Sequence, residues 1–237
     1  MHAMVVIGAV VLFIFLVVHR VRAFAQGKSD SDLRLRRDAE FRGWTLTIIA
    51  PLGYRYSGKT HGVSWAVVTP RVPISSQRLE LQRPIVPSRW ETTDVRLREP
   101  PILIWGGPRR YTAGGSPKPE PTVEMLLRFM IPALGGNATD TASIYGAPFV
   151  QIDDPAVAGY SFQSKDGAKV RAFLDAGGKH VLMDSWLTGQ PLATIVVALW
   201  QRGVQMNFNA RIEDLDSIAQ YAAIGAQLAV AARAASL

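Results

Sequence analysis

Residues 3 to 18, AMVVIGAVVLFIFLVV, run for sixteen positions without a charge or a hydrogen-bonding side chain. A backbone this apolar needs a core or a bilayer. With Met1 and His2 the run reaches eighteen residues, about 27 Å as a helix at ~1.5 Å per residue, against a hydrocarbon core of about 30 Å. The expectation is one transmembrane helix over residues 1 to 22, with His19, Arg20 and Arg22 snorkelling at the membrane interface. Ala23-Phe24-Ala25 has the form of a signal-peptidase site. A signal peptide, however, carries its positive charge before the apolar run, and here Arg20 and Arg22 follow it. The reading is therefore a retained anchor.

Charge then sets the topology. The net charge is +7, and between Arg20 and Arg37 six basic residues face two acidic ones, which leaves +3 for the rest of the chain. Positive charge marks the cytoplasmic flank of a span, so the short N-terminus is expected outside and residues 42 to 237 in the cytoplasm, at an inner (cytoplasmic) membrane of bacterial type. Residues 23 to 41 form a basic juxtamembrane linker, or a short helix capped by Asp30 or Asp32 whose basic side chains meet anionic headgroups. With this topology the Asn137-Ala138-Thr139 sequon is a polar turn. The partners implied are membrane lipids and other integral membrane proteins, with no nucleic acid.

The chain has no cysteine, which excludes disulfides, thiolate metal sites and cysteine nucleophiles. His61 and His180 each stand apart from any second ligand at metal spacing, and no metal or cofactor is implied. No G-x-S-x-G elbow is present.

From Trp44 onward the pattern is α+β. Residues 44–50, 62–68, 77–82 and 102–105 have strand character, interrupted by prolines that cannot donate to a ladder. This β-rich half, 42 to 105, is followed by the Gly/Pro-rich loop 106 to 121 and an α+β half, 122 to 237. Thr122 caps an apolar helix, read as buried or as shallowly membrane-inserted. A strand near 159–163 leads through Asp166-Gly167 into a helix over 168–176, stopped by Gly177-Gly178. A short helix follows over 180–187, and a hairpin joins 194–200 to 204–208 through Gln201-Arg202-Gly203. Asn209 is the expected cap of a long C-terminal helix, whose Leu215, Ile218, Ala222, Gly225 and Ala229 form a small-residue stripe meant for its own sheet. The whole is a mainly antiparallel sheet domain with helices packed on it.

One string names a chemistry. GYRYSGKT, residues 53 to 60, satisfies G-x-x-x-x-G-K-[ST] with Gly53, Gly58, Lys59 and Thr60, and Asp153 or Asp184, each ending a short apolar run, stands where a magnesium-binding carboxylate is sought. A phosphate loop must open into a helix, whose free N–H groups hold the phosphate. The continuation HGVSWAVVTP alternates like a strand. The favoured reading is a hairpin in which YRYS pairs with VSWA around a turn at 58–62, with nucleotide hydrolysis as the alternative. Arg71, Arg78, Arg83, Arg89, Arg96, Arg98, Arg109 and Arg110 supply a third reading, an anionic-ligand or partner surface. The leading expectation is a non-catalytic accessory, scaffold or assembly subunit of a membrane complex.

Overall fold

The computed structural model describes residues 30–49, 53–70, 88–98, 100–106, 147–184, 187, 195–208, 212 and 214–235. The apolar run, the 77–82 segment, the 106–121 loop beyond Gly106 and the helix expected after Thr122 lie outside these residues. Among the described residues, no helix is long and apolar enough to cross a membrane. The chain divides into two compact units, Met1–Leu46 and Thr47–Leu237.

In the first unit, residues 30 to 41 are helical (α1). The backbone then turns at Gly43 (φ 74°), where Gly43 N–H donates to Glu40 O at 2.9 Å and Trp44 N–H to Ala39 O at 2.9 Å. Gly43 supplies the left-handed residue that ends a helix and returns it to extended backbone.

The remaining elements are β1 (Thr45–Ile49), β2 (Gly53–Thr60), β3 (Val63–Pro70), β4 (Ser88–Thr92), β5 (Ile102–Gly106), β6 (Phe149–Val150), β7 (Tyr160–Gln163), α2 (Gly167–Phe173), α3 (Lys179–Leu182), β8 (Ile195–Trp200), β9 (Gly203–Phe208) and α4 (Leu215–Ala234). The protein is α+β, with a nine-stranded sheet in the order β1-β2-β3-β4-β9-β8-β5-β7-β6. The pairings from β2 through β6 are antiparallel. Strands from both sides of the 106–121 connection interleave: β4 pairs with β9, and β5 lies between β8 and β7. The described strands on the two sides of that connection thus share one sheet.

Alternation across the pleat sorts the side chains. Tyr56, Val67, Trp90, Met206, Val197, Ile104, Phe162 and Val150 are cross-strand neighbours in one unbroken apolar row. All but Val150 are buried. Each fully buried side chain of this kind contributes about 1.5–3 kcal/mol. α4 packs on this face. Gly225 sits against the Trp90 indole, 2.3 Å from where a Cβ would be, and Tyr221, fully buried, lies 5.8 Å from Phe208 between ring centroids. The Tyr221 hydroxyl shares its proton between Met206 O at 2.6 Å and Ser88 O at 2.9 Å. The small-residue stripe belongs to the sheet, as its spacing suggested.

Three local details differ from expectation. Asp214, not Asn209, caps α4, its carboxylate accepting from Ser217 N–H at 2.6 Å. Asp214 lies one residue before the helix, where the orphan N–H groups are in reach. Asp166 caps α2 as expected. Gly177, at φ 111°, breaks the helix as expected, but the wide turn over Leu174–Gly178 leads straight into α3, which begins at Lys179 and ends at Leu182 where a helix over 180–187 was expected. Gly178 fits there because a Cβ would lie 2.4 Å from the Phe173 ring. Finally, the β8–β9 turn is only Gln201-Arg202, because Gly203 already pairs with Trp200.

Candidate functional site

All eight residues of GYRYSGKT are β2, paired along their length with β3 from Gly53↔Pro70 to Thr60↔Val63. The connection is the two-residue turn His61-Gly62, with φ of 51° and 76°. Both positive values mark the turn family whose twist matches a β-hairpin. The hairpin expectation holds, but its turn is tighter and its register shifted: YRYS pairs with residues 66 to 69, and Gly58, Lys59 and Thr60 are strand, not turn. The reason is that Lys and Thr tolerate extended backbone, so only His61 and Gly62 are needed to reverse the chain.

This geometry commits the string's polar groups locally. Trp65 Nε1–H donates to Thr60 Oγ1 at 2.9 Å. Lys59 is exposed opposite Ser64, whose N–H donates to Asp94 Oδ2 at 2.7 Å. That backbone hydrogen bond holds the Asp94 carboxyl below its usual range, helped by the nearby charges of Arg233 and Lys59. Thr92 Oγ1 donates to Ser64 O at 2.6 Å and accepts from Asp94 N–H at 3.1 Å. The backbone that a phosphate cradle would use is engaged in a ladder, and a turn and strand, not a helix, follow Thr60. Asp153 lies just beyond β6, seven strand positions along the sheet from β2, and accepts from Gln151 Nε2 at 3.4 Å. Its neighbour Asp154 caps the short turn Pro155–Val157 and pairs with Lys179 Nζ at 2.5 Å. That hydrogen bond is the main reason its carboxyl is held low. Asp184 follows α3, two residues beyond Leu182.

The hairpin tip does meet another element. His61, Gly177, His180, Val181, Gln227 and Val230 line a groove of about 480 Å³ between the turn, α3 and α4. The two histidines that the sequence leaves isolated therefore face one shared space. Among the described residues, no group of three or more His, Asp or Glu is placed to hold a metal ion. The groove brings two imidazoles and an amide to a mostly apolar wall.

A second cluster lies on the sheet face opposite α4. Arg55 Nη1 reaches Glu91 Oε1 at 3.0 Å, and Arg89 Nε lies 3.3 Å from Glu91 Oε2. Arg55 extends across β3 to do so, passing the row that holds Ala66 and Val68. Arg89 stands opposite Asn207, and Glu91 opposite Gln205. Asn207 is 3% exposed, and among the described residues its Oδ1, like Gln205 Oε1, has no hydrogen-bond partner. A partly exposed ion pair of this kind contributes about 0.2–1 kcal/mol. Its greater significance is a polar strip on a sheet face that is otherwise apolar at Ala198, Val196 and Trp105.

Of the three described arginines expected on an anionic-ligand surface, Arg89 belongs to this strip. Arg96 and Arg98 are exposed in the irregular stretch that follows the bend after β4, where Arg98 O accepts from Lys169 Nζ at 2.9 Å. Arg71, Arg78, Arg83, Arg109 and Arg110, like His19, Arg20 and Arg22, lie outside the described residues. Sequence reasoning missed Arg55, hidden in the phosphate-loop string, and Glu91, Gln205 and Asn207. The available signal was alternation about Trp90 in SRWET. No protein family, curated protein or solved structure matches the chain.

Proposed function

We propose that this chain is a membrane-anchored, non-catalytic accessory, scaffold or assembly subunit of a membrane protein complex, held by a transmembrane helix over residues 1 to 22 with its α+β domain on the cytoplasmic side. The observation that carries the reading is the hairpin: the one string that names a chemistry serves as paired sheet edge to edge. Support for the location comes from the uncharged run 3–18 and the basic residues after it. The polar strip and the histidine-lined groove give the domain two surfaces with recognisable chemistry, as a docking module requires.

Lys59→Ala separates this from nucleotide hydrolysis. The wild-type chain is expected to bind no ATP by equilibrium dialysis, and the variant to behave identically, with stability within about 0.5 kcal/mol because Lys59 is exposed. ATP binding that Lys59→Ala abolishes would overturn the reading. A second reading, recognition of an anionic ligand, is favoured by the Arg55–Glu91–Arg89 cluster. Flotation on anionic liposomes that disappears in high salt and in Arg55→Ala/Arg89→Ala would favour it.

A further inference from the structure

We propose that one facet of α1, formed by Leu33, Arg34, Arg37 and Phe41, lies in the headgroup layer of a phospholipid membrane. This rests on the anchor reading above and adds a second, peripheral membrane contact to it. At about 100° per residue, Leu33, Arg37 and Phe41 fall within ~80° of one another and Arg34 within ~100°. Leu33 is 59% exposed and Phe41 93% exposed, whereas Ala39, on the other side of the helix, is fully buried. Arg34 and Arg37 are exposed. Two large apolar side chains alternating with two guanidinium groups match an interfacial helix, with the former reaching the acyl boundary and the latter the phosphates.

The next turn continues the pattern. Arg42 stacks over Trp44, 5.5 Å from guanidinium carbon to ring centroid, and tryptophan beside arginine is typical of the level where hydrocarbon meets headgroup. Asp30 is the one acid on the facet, at its first turn, and Asp38 and Glu40 flank it, which limits the facet to a shallow depth. Lipid is favoured over a protein occupant by position. Val18 ends the apolar run twelve residues before Asp30, a reach of at most about 40 Å, and Gly27 lies in the connection.

The absence of cysteine permits single-site spin labelling of the full chain. Val10→Cys, Ser31→Cys, Leu33→Cys and Phe41→Cys, each reconstituted into phosphatidylcholine–phosphatidylglycerol vesicles, would be compared for relaxation by oxygen and by a water-soluble nickel complex. The expected result is a lipid-immersed label at Val10, labels at Leu33 and Phe41 with oxygen access several-fold above that at Ser31, and an aqueous label at Ser31. Labels at Leu33 and Phe41 as open to nickel as that at Ser31, with Val10 still in lipid, would overturn the facet and leave the anchor standing. Labels shielded from both reagents would also overturn it, by placing protein on the facet. An aqueous label at Val10 would remove the anchor and the facet together.

Discussion

The contact between Gly225 and Trp90 joins helix to sheet at a distance that only hydrogen allows. In an open helix interior, Gly→Ala stabilises by about 0.5–1 kcal/mol. Here the added methyl would meet the indole at 2.3 Å, and overpacking costs about 1–3 kcal/mol. Gly225→Ala should therefore lower the urea midpoint, opposite in sign to the propensity effect. Tyr221 and Tyr160 add a pH dependence. Burial pushes Tyr160 up to about 12 and Tyr221 well above the ordinary tyrosine value of 10.0. Both fold neutral, and the Tyr160 hydroxyl donates to Leu182 O at 2.7 Å. The folded state holds protons that the unfolded chain releases above pH 10, so the contribution of the two tyrosines is constant below that pH. From there it should fall by about 1.4 kcal/mol per pH unit for each tyrosine, the Tyr160 share being lost by about pH 12. Urea melts at pH 9 and pH 11 check this. Tyr221→Phe should halve the slope while costing about 1–2 kcal/mol at pH 7 for its lost hydrogen bond.

At the scale of elements, the β2–β3 hairpin shows what sequence reveals and what it conceals. VSWAVV alternates, and the strand was legible from it. The turn was not, because Gly58 and Gly62 are both turn-type residues, and only the positive φ of His61 and Gly62 identifies the reversal. Gly62→Val should cost about 1–2 kcal/mol, since a β-branched residue is strained in that conformation; thermal melting checks it. β4 escaped notice because SRWET has one apolar side chain, although Ser88, Trp90 and Thr92 are its buried face. The cap at Asp214 was missed because Asn209 and Asp214 are both of capping type, and the local pattern alone does not decide which of them stands one residue before the helix. The meeting of His61 with His180 depends on tertiary placement of segments over a hundred residues apart, which no local pattern encodes.

For the whole molecule, the sheet order explains why the two halves of the sequence cannot be separated. The pairing of β4 with β9 and of β5 with β8 threads both through one core, so cleavage within 107–121 should leave the fragments associated. On the proposed reading, function at this scale depends on what the domain holds at the membrane. The most direct test is extraction of the full 25.9 kDa chain from its native membrane in mild detergent, followed by light scattering of the eluted species and identification of co-purifying proteins. The account predicts an assembly larger than the chain, with an integral membrane protein in fixed stoichiometry. A chain that leaves the membrane without detergent, or elutes alone as a monomer, would contradict it.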